Sequence, residues 1–457
     1  MRKAMRWIGG IVAGLLVFVL LMWGLSRLLG PDRESREALS LMQQSWDPPG
    51  ENAFDAIWLL PYAVPEDRIH AIAAADMQRM HAAPPADSDG HGGLSGFTSL
   101  AAETFVEERL AAEDHGLLCD VRGEPCLAKV RGDLAAYEDL IDRHAGMLQR
   151  HDALARHGHI RNLLPSRIDA PFPAFVAGRL AHVRNAVLFA QGDAGAALES
   201  TCRDLATWRR LGAQSDMLIA TMVGIAYSTG SNGSLLAEML GELPAGHPLP
   251  PSCHDAVRPP EPEELSMCRA MRGEFAFTTQ ALELTPDMVK AESRAAVRLL
   301  LPLLFNAEKT KARTASNYAA YCGGESMARI EDDRPFVAED MPGLDYIEFG
   351  CIDNAIGCIL SAIAVPALPD YQNRLLDHGA RLRLLGTLLW LHGDAAGQAN
   401  TLQVRLADRP QGLKGAARDV EVGEGSRTLR IRQYSSRDGD YWEVPLPVLA
   451  EGESTAD

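Results

Sequence analysis

A mainly α-helical protein, with one N-terminal transmembrane helix and a small C-terminal antiparallel β element, is predicted from three features of the sequence. The first is Ile8–Leu25, IGGIVAGLLVFVLLMWGL, a stretch without a charge. The second is the recurrence of apolar residues at helical spacing through most of residues 30–395. The third is a switch to strand-like alternation beyond residue 400, punctuated by Asp438-Gly439, a strong hairpin turn signal.

At about 1.5 Å of rise per residue, Trp7–Leu29 is long enough for a hydrocarbon core of about 30 Å. Its aliphatic and aromatic side chains favour insertion by about 3–6 kcal/mol, and Trp7 and Trp23 stand where interfacial aromatics belong. A cleaved signal peptide would have a shorter apolar core and a small-x-small cleavage site. Here the run ends in Trp-Gly-Leu-Ser-Arg-Leu-Leu-Gly-Pro-Asp, and no cysteine follows closely enough for a lipoprotein, so a retained anchor is expected. Arg2, Lys3 and Arg6 crowd the amino end, whereas Arg27, Arg33 and Arg36 are interleaved with Asp32, Glu34 and Glu37. Charge density near the span therefore favours a cytoplasmic amino terminus, although the counts nearly tie. The resulting expectation is a single-pass bacterial inner-membrane protein with its bulk in the periplasm. Gly10-x3-Gly14 suits pairing of two copies in lipid; two glycines in an apolar stretch is the plainer reading.

The chain has 457 residues, 47% hydrophobic and 23% charged, which is globular rather than disordered. Its formal net charge of −17 argues against nucleic acid as a partner, since phosphates demand the opposite sign, and against electrostatic docking on anionic lipid. Abundant alanine, and arginine in place of lysine, fit a GC-rich bacterial genome. Eight cysteines suit an oxidising compartment, and no pair has the C-x2-C spacing of a zinc or redox site. Cys119 and Cys126 flank a turn-like stretch and form the expected disulfide. Cys351 and Cys358 would stand about 10.5 Å apart on one continuous helix, so they can pair only if that helix breaks.

In chain order, residues 1–6 form the cytoplasmic tail, 7–29 the anchor, and 30–243 a first helical region. Within it, residues 33–44 read as a short polar helix, broken by Pro48 and Pro49. Asn52–Pro65 should pack a Phe-Trp-Tyr cluster. Helices are expected over Pro65–Met80, Thr98–Glu113 and Leu127–Arg156, with Ala83–Gly96 a loop. Arg179–Gln191, Gly192-Asp193 and Ala194–Leu211 form a helix, turn and helix with small residues and Ala197-Leu198 opening the second helix. This stretch, about residues 179–212, resembles one tetratricopeptide-type hairpin. No second copy follows at that period, so the resemblance implies helical-hairpin packing and no solenoid. A third helix is expected over Asp216–Tyr227.

Residues 244–262 are a Pro-rich linker or strap, and 263–395 a second helical region. There, helices are expected near Glu263–Leu282 and Pro286–Phe305, the latter kinked or ended by Pro302. Ala355–Leu368 is too short to span and reads as a buried core helix. Tyr371–His392 is an amphipathic helix. Residues 396–450 hold the β element, with strands expected at Thr401–Leu406, Thr428–Tyr434 and Tyr441–Leu446, and 451–457 are a tail.

Motifs that carry chemistry are missing: no His-Glu-x-x-His, no Gly-x4-Gly-Lys-Ser/Thr, no Gly-x-Ser-x-Gly. Gly93-Leu94-Ser95-Gly96 approaches the last but lacks its final glycine. Gly230-Ser231-Asn232-Gly233-Ser234 reads as a helix-ending turn and N-cap. His144, His151, His157 and His159 are the one concentration of histidine. His144 and His151 are too far apart on a straight helix to share a metal, so solvated helix-end histidines are the plainer reading. Glu331-Asp332-Asp333 reads as a solvated acidic loop. No cofactor or metal is expected. The leading expectation is a non-catalytic helical scaffold or protein-binding module in the periplasm. The alternative is an envelope hydrolase whose site is assembled from residues distant in sequence.

Overall fold

A computed structural model describes residues 2–84, 93–94, 96–119, 123–167, 169–291, 295–338, 348–363, 365–393, 401–415, 417–435 and 439–446. Helices dominate, and one three-stranded sheet lies near the C-terminus. The chain forms two compact units. The first comprises Met1–Trp46, Met271–Gly323 and Val337–Pro369, and the second Asp47–Ala270, Gly324–Phe336 and Asp370–Asp457.

In the first unit, the apolar run belongs to one helix, Arg2–Leu28, whose side chains from Trp7 to Leu21 are exposed. Trp7–Leu28 has the length and hydropathy of a membrane anchor or a signal sequence. The only other stretch among the described residues that meets the same criteria is Ala355–Gly393, which includes core residues of both units. Next comes the helix Arg33–Met42, started by Asp32, whose carboxylate accepts the Ser35 amide at 2.7 Å. It packs along Ala307–Ala319, around Met42, Phe275 and Ala315. Pro302 lies inside Ala295–Leu304, which ends two residues later, as its missing N–H and its ring require. The helix before it, Cys268–Ala291, runs past the expected Leu282 boundary.

The expectation for Ala355–Leu368 needs correction. The segment is a helix over Ala355–Ala362 and a 3-10 turn over Val365–Ala367. Cys358 and Ala362 point inward, but Ile359, Leu360 and Ile363 are 52%, 49% and 68% exposed. It is therefore a half-buried helix with an apolar outer face. A 3-10 turn over Phe349–Cys351 precedes it, and the chain bends before Ala355. That break brings Cys351 and Cys358 to 5.9 Å between Cα atoms, and they form a disulfide.

In the second unit, Glu66–Ala82 is helical, and the Asn52–Pro65 segment buries Phe54 and Tyr62 with Trp58 half-buried. Thr98–Glu113 is not one helix. Within it only Ala101–Thr104 is helical: the buried Asp76 carboxylate takes hydrogen bonds from Trp58, the Ser99 hydroxyl and the Leu100 amide at the start, and beyond Phe105 the backbone pairs with the Pro61–Ala63 stretch, Tyr62 opposite Glu107. Leu127–Arg156 is also interrupted, into Cys126–Gly132, Leu134–Arg143 and Ala145–Asp152 with a 3-10 end. Asp133 leaves helical geometry at φ −153 and caps the next helix by accepting the Ala136 amide. Cys119 and Cys126 are joined by a disulfide, as are Cys202 and Cys253.

The hairpin forms from Ala177–Ala190 and Ala194–Ala213. Gly192 takes φ +92 at the turn, where a side chain would be strained, and Asp193 caps the second helix through the Ala196 amide. The Gly230–Ser234 expectation is overturned. Leu218–Ile225 passes into a π-helix, Ala226–Asn232, and on into Gly233–Glu242 without a turn. Leu382, Leu385 and Leu388 of the long helix Leu368–Gly393 are fully buried.

Thr401–Leu406 is helical rather than extended, within Leu402–Asp408. Leu402 and Leu406, four apart, both turn inward, and the buried Arg405 donates to the Leu391 carbonyl, so the apolar period there is helical. The sheet has order β1-β2-β3, with β1 Glu421–Val422, β2 Thr428–Arg432 and β3 Tyr441–Pro445, all antiparallel. Leu429 faces Val444, and these two with Ile431 join the main core. Gly439 takes φ +84 just before β3; Asp438, most of the Ala83–Gly96 loop and the 451–457 tail lie outside the described residues.

Candidate functional site

Three polar clusters in the second unit gather groups capable of chemistry. The first surrounds Trp208, held inside by its place on the hairpin's second helix. Its indole N–H donates to His151 Nε2 at 3.1 Å. Nε2 must therefore be the bare nitrogen, leaving the proton on Nδ1. Nδ1 lies 3.7 Å from Asp152 and 3.9 Å from Asp204, beyond hydrogen-bond range of either. Arg184 holds both carboxylates: Nη1 is 2.9 Å from each Asp152 oxygen and Nη2 is 3.5 Å from Asp204. Asn185 donates to the same Asp204 carboxylate at 2.9 Å. Burial pushes the Asp152 carboxyl up, but the groups around it, Arg184 among them, outweigh it and hold it below the ordinary value.

His151, Asp152 and Asp204 are close enough together to share a cation. A divalent ion would have to displace Arg184, which already supplies the positive charge at that point. The arrangement is a neutral histidine and two carboxylates clamped by one guanidinium. The histidine expectation is thus corrected: His144, His151 and His159 are buried, not solvated. The helix breaks at His144, which turns the following stretch inward. Burial also keeps the His157 and His159 imidazoles below their usual range.

The second cluster is built on the π-helix. The wider turn sets Ser228, Thr229, Ser231 and Asn232 into the interior, a geometry that recurs at functional sites. Thr229 Oγ1 and His378 Nδ1 are 2.9 Å apart. Tyr227 donates to the Phe175 carbonyl at 2.8 Å and meets Trp208 edge-on, with centroids 5.0 Å apart. A cavity of about 10 Å³ lies beside this turn, lined by Arg209, Glu264, Thr221 and His378 among others. That is room for about one water. Gly212 and Gly224 set its walls: a Cβ on Gly224 would lie 2.5 Å from Gly212 Cα, so only glycine allows the two helices this approach. Arg209 is tied to Glu264 at 2.8 Å and to the Ala256 and Arg258 carbonyls. Burial, then the charges of Arg209 and Arg381, push His378 down to about 3. Burial likewise lowers His182 to about 4. Both are neutral imidazoles at any ordinary pH.

The third cluster corrects the reading of Glu331-Asp332-Asp333 as a solvated loop at its last residue: Glu331 and Asp332 are exposed, whereas Asp333 turns inward. Asp333 is buried because Arg418 reaches it from before the sheet at 3.0 Å and Arg383 from the long helix at 2.7 Å. Arg418 also bonds Asp377 at 2.5 Å and lies over the Tyr434 ring, 3.7 Å from its centroid. Asp377 accepts the Tyr434 and Ser435 amides. This network fastens the sheet to the helical core.

The residues expected from the sequence stand as follows. Cys119 and Cys126 are bonded to each other, so their sulfurs hold nothing beside His182. Gly10 and Gly14 lie on the exposed stretch of the first helix with open space around them. His182, His378 and the Arg418 cluster are not announced locally, since their hydrogen-bonding side-chain partners come from 41 to 149 residues away in the chain. The one local signal was the polar string Ser228–Ser234 between apolar segments. The chain matches no protein-family model, and no curated protein or solved structure is detectably similar to it.

Proposed function

We propose that the chain is a non-catalytic helical module that binds a protein partner while held at the periplasmic face of a bacterial inner membrane by its N-terminal helix. The observation that carries this reading is the commitment of the polar groups. His151, Asp204, His378, Asp333 and Asp377 are buried on fixed internal partners, and the cavity beside His378 takes about one water. Such groups hold an architecture together and do not meet a substrate. Disulfides at Cys119–Cys126, Cys202–Cys253 and Cys351–Cys358 support an oxidising compartment, and the apolar first helix supports the tether.

Crosslinking in intact cells, followed by identification of what co-purifies, tests the binding reading. A reproducible partner is expected, including a second copy if Gly10 and Gly14 pair; recovering none under several conditions removes the basis for it. A reporter active only outside the cytoplasm, fused near Leu60, should be active, and a well-expressed inactive fusion reverses the topology. The second reading, an envelope hydrolase, draws on Arg209, Glu264 and His378 meeting at one cavity from distant parts of the chain. It requires that His378→Gln abolish a hydrolysis that the unaltered protein performs.

A further inference from the structure

We infer that the first unit is itself seated in lipid, with the aliphatic surface around the foot of the N-terminal helix sunk about 8 Å into the leaflet where that helix ends. This rests on reading Arg2–Leu28 as a retained anchor.

Length gives the first argument. Among the helix residues whose side chains are described, the run exposed on every side is Trp7 to Leu21, about 22 Å at 1.5 Å per residue. A hydrocarbon core is about 30 Å thick. From Met22 onward one side of the helix is covered by its own unit. The Trp23 indole donates to the Leu303 carbonyl at 2.9 Å, the buried Ser26 hydroxyl donates to Asp353 at 2.6 Å, and the Lys309 ammonium caps the Ser26 carbonyl. If the unit stood clear of the bilayer, about 8 Å of hydrocarbon would have no apolar partner of matching length.

The opposite side of the same turns gives the second argument. Leu25, Leu28 and Leu29 remain exposed there, with the long Arg27 side chain able to reach outward between them, so apolar side chains continue to Leu29, about 33 Å from Trp7. Lipid on that side reaches the level at which the unit covers the other.

The third argument is the composition of the elements packed at and next to the foot of the helix. Leu303, Phe349, Ile352, Ile359, Leu360 and Ile363 are exposed. The elements carrying them pack on one another, and the Phe349 turn packs on the foot of the helix. Aliphatic groups clustered in this way ordinarily mark a covered surface. The occupant follows from continuity with the helix: a soluble partner could not reach the depth of Leu25 and Leu28 without entering lipid, whereas the bilayer is already there. An immersion of about 5–10 Å is the range of interfacial helices.

The test uses the full chain in vesicles of phosphatidylethanolamine and phosphatidylglycerol. All eight native cysteines are disulfide-bonded, so a single introduced cysteine is the labelling site. Spin labels at Leu360→Cys and Ile363→Cys are compared with Leu16→Cys in the helix and Gln43→Cys on a polar part of the same unit. All four positions are exposed, so substitution removes no packing. Labels at 360 and 363 should lose several-fold in collision with an aqueous nickel chelate relative to position 43, and gain in collision with oxygen, as position 16 does. Labels at 360 and 363 that behave like position 43, with position 16 in lipid, overturn the seating and leave the anchor standing. A label at 16 that reads as aqueous overturns both.

Discussion

The two units treat their surfaces and interiors in opposite ways. The second buries arginines at positions 209, 381, 405, 409 and 418 and surrounds them with carboxylates and carbonyls, while its exposed apolar residues, such as Val106, Phe172 and Val404, are scattered. In the first, Lys309 pairs with the buried Asp353, and apolar residues gather on the outside near the apolar helix. A buried charge network is destroyed by losing one member, whereas an exposed apolar face is stable only where something other than water meets it. The second unit is thus organised by specificity from within, the first by what lies outside it.

The sharpest way to break this contrast is to remove a buried guanidinium. Arg418→Met leaves Asp377 without its cation and Asp333 with Arg383 alone. Losing one partner of a buried pair costs about 3–5 kcal/mol. Urea unfolding of the full chain in mild detergent should show a loss of that size. Adding Asp377→Asn to Arg418→Met should recover part of it, because the stranded charge is then gone. A loss below about 1 kcal/mol would mean that water reaches the cluster and that the interior is open there.

Disulfides allow the units to be compared on one scale. Cys202 and Cys253 close a loop of 51 residues in the second unit, worth about 4 kcal/mol by loop entropy. Cys351 and Cys358 close one of seven in the first, worth about 2 kcal/mol. Double alanine replacements should therefore differ by about a factor of two in unfolding free energy. Equal losses, or a larger one for the Cys351 pair, would show that the short bridge does more than shorten a loop, by holding the apolar outer helix in place.

How far all this was legible depends on the range of the interactions. The apolar helix, the hairpin at Gly192-Asp193 and the strands at Thr428 and Tyr441 are written in local periodicity and turn chemistry, and the sequence carries them openly. Leu402–Asp408 was misread because a six-residue stretch satisfies strand alternation and helical spacing together, and only the packing of Leu402 and Leu406 decides. Thr98–Glu113 has helical residues but is held open beyond Phe105 by backbone pairing with the distant Tyr62. The polar clusters were invisible for the same reason on a larger scale. Nothing near Arg418 announces Asp333, and nothing near Thr229 announces His378. The histidines look solvated from their place near a helix end, but Trp208 covers His151 and the Asn52 stretch pairs with His159, partners far off in the chain.

Acid should expose the neutral histidines of the second unit. His378, at about 3, and His182, at about 4, are depressed from an unfolded value near 6.5 by burial, helped for His378 by Arg209 and Arg381. As pH falls below about 6.5 the unfolded chain takes up these protons and the folded one does not, so each histidine draws stability down. The loss grows until pH reaches the folded value, with a slope approaching about 1.4 kcal/mol per pH unit for each group. Between pH 6 and 4.5 the carboxylates held low, Asp114 and Asp169, do not yet contribute, because their loss begins near the unfolded carboxyl range. Asp216 and Glu238, raised by burial, act in the opposite direction there, so the total slope mixes signs. A difference measurement removes them. His378→Gln should flatten the fall in unfolding free energy between pH 6 and 4.5 by about one proton relative to the unaltered chain. An identical slope in both would place His378 in contact with water and make the cavity beside it an open one.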